Sequence, residues 1–169
     1  MELELYIALK AEIESKLGNE IKQVALWNNQ FEHSNGTDAN GRDEYPFPYP
    51  CVFLEFSQAN FSDLSQGVQA FDLMVTTHLG FQSLKTEDTD VLRLKQDLYK
   101  VVQRFRNGYF ARLTRVSERQ DYNHSNVQEY ITEYLTRGKD FDTDIRPTIS
   151  VTPSITITAT TVTLSGLTS

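Results

Sequence analysis

Apolar residues recur at every fourth position over residues 3–17, as Leu5, Leu9, Ile13 and Leu17, with Leu3, Tyr6 and Ile7 widening the stripe. That spacing predicts a helix that buries one face, and Gly18-Asn19 supplies its stop. A short apolar run at 21–27 predicts a first strand. From 28 to 44 the chain turns to Asn, Gly and Asp, which predicts a long exposed loop. Then comes Tyr45-Pro46-Phe47-Pro48-Tyr49-Pro50, whose alternating prolines hold the chain extended and remove backbone donors, keeping it out of helix and sheet. It leads into CVFLEF at 51–56, an apolar run of strand length. A Ser/Gln/Asn-rich connection is predicted at 57–66. Over 68–81, Phe71, Leu73, Val75, Thr77 and Leu79 alternate with Asp72, Met74, Thr76 and His78, the period-two pattern of a long half-buried strand.

Over 88–107, Val91, Leu94, Leu98, Val101, Val102 and Phe105 trace one helical face, with Arg93, Lys95, Gln96, Asp97 and Lys100 opposite. Thr86 or Thr89 caps the start of this helix and Asn107-Gly108 ends it. Two further strands are predicted at 110–119 and 127–136, joined through a polar stretch at 120–126. The second sets Tyr130, Thr132, Tyr134 and Thr136 on one face and Val127, Ile131 and Leu135 on the other. Runs of strands broken by a single helix predict an α+β fold: a mostly antiparallel sheet with the N-terminal helix and one long central helix packed on one face.

The compact domain is predicted to span 1–140, followed by a Thr-rich extended C-terminal arm at 141–169. In the arm Ile149, Val151, Ile155, Ile157, Val162 and Leu164 alternate with Ser and Thr, and no charged residue follows Arg146. Two readings are open, a disordered terminus or an arm that adds a strand to a neighbouring subunit. A free, uncharged, alternating strand is an aggregation hazard, which favours the docked arm.

A length of 169 residues with 39% hydrophobic side chains fits one domain, or a domain plus an appendage. Sixteen basic residues against twenty-three acidic ones give a net charge of −7, the opposite of the balance that tight phosphate binding requires. Arg104, Arg106, Arg112, Arg115 and Arg119 fall close together and read as a solvated helix end followed by the outer face of a strand. The lone Cys51 excludes an internal disulfide and suggests a reducing compartment. The amphipathic, acidic start is unlike a signal peptide, and no apolar stretch is long enough to predict a membrane span.

Candidate chemistry is sparse. His33, His78 and His124 lie far apart, none with a partner at metal-ligand spacing, so no metal site is predicted. Asp140-x-Asp142-x-Asp144 opens like a calcium loop, but Ile145 stands where Gly is required and Val151 where a bidentate Glu belongs, leaving a solvated acidic linker. Cys51 reads as a buried structural thiol. Glu129 and Glu133 share a strand face, but pairing of acids is set by the fold. No catalytic residue and no cofactor-binding motif is predicted. Tyr45, Phe47 and Tyr49, interleaved with prolines, form either an exposed element that contacts a partner or a clamp holding the loop base on the domain's own core.

The order of elements resembles the tail terminator and tail-completion proteins of tailed bacteriophages, a group that shades into head–tail neck proteins. The likeness covers roughly residues 3–137: the helix at 3–17, a short strand, a long polar loop, the proline-bearing lead-in to a buried strand at 46–56, the strand at 68–81, the helix at 89–107 and a final strand pair. It implies a non-enzymatic structural protein that forms a ring, usually of six copies, in the virion, assembled in the host cytoplasm. Such a ring ends growth of the tail tube and joins it to the head-side connector. The implied partners are further copies of the chain, the tail tube protein and the connector or neck proteins, with no membrane. DNA passes through such a ring without tight binding, which an acidic bore favours. The other reading is a small cytoplasmic protein-binding accessory domain without catalysis.

Overall fold

A computed structural model of the chain describes residues 2–31, 36–37, 43–44, 47–65, 67–82, 88–108, 110–123 and 127–141. Helix α1, Glu2–Leu17, buries Leu5, Leu9, Ile13 and Leu17, and Glu2 and Glu4 meet the positive end of its dipole. Strand β1, Gln23–Leu26, follows, then the two-residue strands β2, Gly36–Thr37, and β3, Asp43–Glu44, which pair with each other. Strands β4, Cys51–Ser65, and β5, Val68–Gln82, form a long hairpin. Helix α2, Asp88–Val102, buries Val91, Leu94, Leu98 and Val102. Strands β6, Thr114–Asp121, and β7, Val127–Asp140, complete the fold.

The main sheet has the order β1-β4-β5-β7-β6, with β1 parallel to β4 and every other neighbour antiparallel. The architecture is α+β, as expected. Val52, Leu54, Leu73, Val75, Leu79, Tyr130 and Tyr134 join the apolar stripes of both helices in one core, so both helices cover the same sheet face. The opposite face carries a second, aromatic core of Phe31, Phe47, Cys51, Phe53 and Val127, with Trp27 and Tyr49 against it. The parallel β1–β4 pairing requires a long crossover. The aromatic residues of that crossover pack the second face.

Several boundaries differ from the sequence expectation. Residues 57–65 belong to strand β4, not to a connection: their backbone pairs with β5 through register shifts at Ser57/Asn60 and Asp63/Ser65. Backbone pairing needs no apolar side chain, so the hydrophobic pattern was silent there. Helix α2 stops at Val102 instead of 107, because Arg104 is left-handed (φ 69°) and its N–H bonds to the Leu113 carbonyl. The chain then folds back on itself, Leu113 N–H returning to Phe105, and β6 begins at Thr114, not at 110. Strand β6 also takes in Gln120 and Asp121, and β7 runs on to Asp140. Within the stretch expected to be an exposed loop, Phe31 is fully buried and β2 pairs with β3.

Candidate functional site

Three strands of the main sheet bring an ionisable cluster together on the aromatic face. His78 on β5 stands opposite Phe53 of β4 and Ile131 of β7. Glu55 is paired with Thr76 and Glu129 with Gly80, so each carboxylate is a diagonal neighbour of His78 on the same face. His78 Nδ1 lies 2.6 Å from Glu129 Oε1, and Nε2 lies 3.0 Å from Glu55 Oε2. His78 and Glu129 are buried, while the Glu55 side chain is 39% exposed and opens the cluster to water. The Trp27 ring stacks on the imidazole, centroids 3.9 Å apart and planes 5° off parallel.

A neutral imidazole carries one N–H, so two carboxylate contacts require either an imidazolium or a proton on one carboxyl. Either way the three groups hold one proton set between them, in a setting where an unpaired charge is costly. Both ring nitrogens are occupied and one ring face is covered by Trp27. This geometry ties three strands together and presents no open nitrogen for proton transfer to a substrate. Glu55 and Glu129 are distant from His78 in the chain and only sheet register joins them, so spacing along the sequence carries no sign of the cluster.

The neighbouring Cys51 is fully buried, its Sγ 4.0 Å from the Gly80 carbonyl. Burial pushes its pKa well up, so the thiol stays protonated, as the structural reading expects. Gly80 is a site of close approach. A Cβ there would lie 2.3 Å from Phe31 Cζ, so the absent side chain is what seats Phe31 on the sheet. Among the described residues no group of three or more His, Cys, Asp or Glu is arranged to hold a metal ion.

Of the residues expected to contact a partner, Phe47 is corrected: it is buried against Phe31 and Phe53 in the chain's own second core. An edge-on ring at the centre of an aromatic cluster gains more from its own core than from solvent exposure. Tyr49 is half-buried and stacks on Phe31, at the base of the same cluster. Tyr45, Ile149, Val151, Ile155, Ile157, Val162 and Leu164 lie outside the described residues. The five clustered arginines divide. Arg115 lies over the Tyr99 ring and donates to Glu118, and Arg119 approaches Glu133. Arg104, Arg106 and Arg112 are exposed on the fold-back at 103–113.

The surface feature that the sequence pattern missed is the far end of the β4–β5 hairpin. Phe61, Ser62, Asp63 and Leu64 of β4 are all exposed, although Val68 and Phe71 of the paired β5 are buried. Phe61 is 51% and Leu64 52% exposed, yet Phe61 continues an aromatic line through Phe71 to the buried Phe110. Strand β1 flanks β4 only from Cys51 to Leu54. No family model and no curated protein matches this chain.

Proposed function

We propose that the chain is a non-catalytic structural subunit that closes into a ring at the head-proximal end of a bacteriophage tail. In this role the ring ends tube assembly and joins the tail to the head-side connector, as part of the virion. The observation that carries the reading is the outer strand at the far end of the hairpin: β4 exposes Phe61 and Leu64 there, while β5 beside it stays packed through Val68 and Phe71. Exposed apolar side chains at the end of a strand pair mark a contact surface. The α+β layout, with both helices on one face, agrees with the resemblance in element order. The partners in this reading are further copies of the chain, the tail tube protein and the connector. A bore of like charge to the phosphates lets DNA slide, consistent with a net charge of −7.

Light scattering over a range of concentrations, followed by negative-stain imaging, tests the assignment. The expected species has about six times the 19.4 kDa chain mass and a central hole. A monomer at every concentration, unchanged by added tail tubes, overturns it in favour of a monomeric protein-binding domain.

A further inference from the structure

Beyond Leu54 the outer edge of β4 has no strand beside it among the described residues. From Glu55 to Ser65 this edge carries two charged residues, Glu55 and Asp63. Both are drawn to β5, Glu55 to His78 Nε2 at 3.0 Å and Asp63 to Gln69 Nε2 at 2.6 Å. The other long edge, β6, is guarded differently. It carries Arg115, Glu118, Arg119 and Asp121 within eight residues, and its register shifts between Arg115 and Ser117. Charges and bulges are the devices that keep an edge from pairing with another chain. By charge, β6 is protected and the outer edge of β4 is the more open; the register shifts at Ser57/Asn60 and Asp63/Ser65 leave residues 60–63 as the regular stretch of that edge.

We propose that this β4 edge takes residues 149–157 of a neighbouring copy as an added strand. The proposal rests on the ring reading above and names the contact that closes the ring. Three observations select this occupant. The segment Ile149 to Ile157 is uncharged and sets Ile149, Val151, Ile155 and Ile157 on one face, the period of a strand with one apolar side. Pro153 removes one backbone donor, which an added edge strand tolerates on its solvent side. The described chain ends at Phe141, next to Asp140, whose partner Gln69 lies at the ribbon end of β5. Strands β4 and β7 are both antiparallel to β5 and so run in the same direction, toward that end. A tail keeping the course of β7 therefore leaves its own subunit there, and the seven residues 142–148 between Phe141 and the docked segment span up to about 25 Å. Acceptor edge and donated segment are different surfaces of one chain, the heterologous contact that a closed ring requires.

The test uses the full chain with paired cysteines, Ser62→Cys with Ile155→Cys and Ser62→Cys with Ile157→Cys, under mild oxidation. Cys51 is fully buried and does not compete. Each single-cysteine variant is first required to keep the parent's urea midpoint and solution mass. The expected result is a ladder of disulfide-linked multimers from at least one pair. A disulfide formed only within one chain overturns the proposal, since the tail then folds back on its own edge. A ring of parental mass with no cross-link from either pair also overturns it, while leaving the ring assignment intact. Absence of any oligomer, with and without tail tubes, removes the ring assignment and this contact together.

Discussion

Replacing Glu129 with Leu removes the carboxyl group whose Oε1 lies 2.6 Å from His78 Nδ1, in a place where both side chains are buried. Breaking a buried pair from one side costs about 3–5 kcal/mol, because the remaining group keeps its desolvation penalty. Glu55 still holds Nε2 at 3.0 Å and is reached by water, so the low end, about 3 kcal/mol, applies. For a chain of this size that lowers the melting temperature by about 6–12 °C. The informative variant is the double one, His78→Phe with Glu129→Leu, which removes both polar groups and keeps an aromatic ring under Trp27. Its destabilisation is expected to fall short of the sum of the two single changes by at least about 2 kcal/mol. Any other contact of Glu129 is lost in both the single and the double variant, so it drops out of the coupling energy. Urea unfolding followed by fluorescence measures all four species, since Trp27 is the chain's one tryptophan and sits on the cluster. Additive single effects would refute the argument that His78 and Glu129 stabilise each other as a buried pair.

Gly80→Ala forces Phe31 off the sheet, since the new Cβ would meet its ring at 2.3 Å; a loss of about 1–3 kcal/mol is expected in urea, and an unchanged midpoint rejects this seating. Burial raises the pKa of Cys51 above its ordinary value of 9.0, so the unfolded chain ionises first. Its contribution to stability is therefore complete below pH 9.0 and lost as the pH climbs above it; Cys51→Ala is expected to flatten the alkaline loss by up to about 1.4 kcal/mol per pH unit, measured by urea titration across that range. Phe61→Ser combined with Leu64→Ser removes side chains that are half-buried, Phe61 against Phe71, so the subunit should lose about 1 kcal/mol for each in urea unfolding and still fold. The oligomer mass should fall in the same variant, and an unchanged mass by light scattering would take the ribbon out of the assembly contact.

Where one element's own side chains decide its conformation, the periodicity along the chain and the folded element coincide. The four-residue spacing of Leu5, Leu9, Ile13 and Leu17 is enough to bury one helix face, and α1 ends at Leu17. The alternation from Phe71 to Leu79 gives β5 two unlike faces, one toward the helices and one toward His78. Where a second segment supplies the partner, the pattern was silent or misleading. Asn107-Gly108 is a good helix stop, but α2 ends earlier because Leu113 offers the Arg104 N–H a carbonyl from outside the helix. Residues 57–65 have little apolar content, and β5 makes them a strand by pairing with their backbone.

The same division runs through the candidate sites. Cys51 and the apolar run behind it announce a buried position by composition alone, and burial follows from transfer of apolar surface out of water. Phe47 carries no local sign of whether it faces a partner or its own core; the crossover from β1 to β4 decides, by laying it against Phe31 and Phe53. Glu55, His78 and Glu129 are ordinary strand residues until the register of three strands sets them within hydrogen-bond distance. Amphipathic periodicity is local, fixed by the chain's own bond geometry, and so the sequence determined the helices, the long strand and the α+β class. Edges, exposed ribbons and buried charge clusters are relations between segments far apart in the chain, and only the folded sheet decides them.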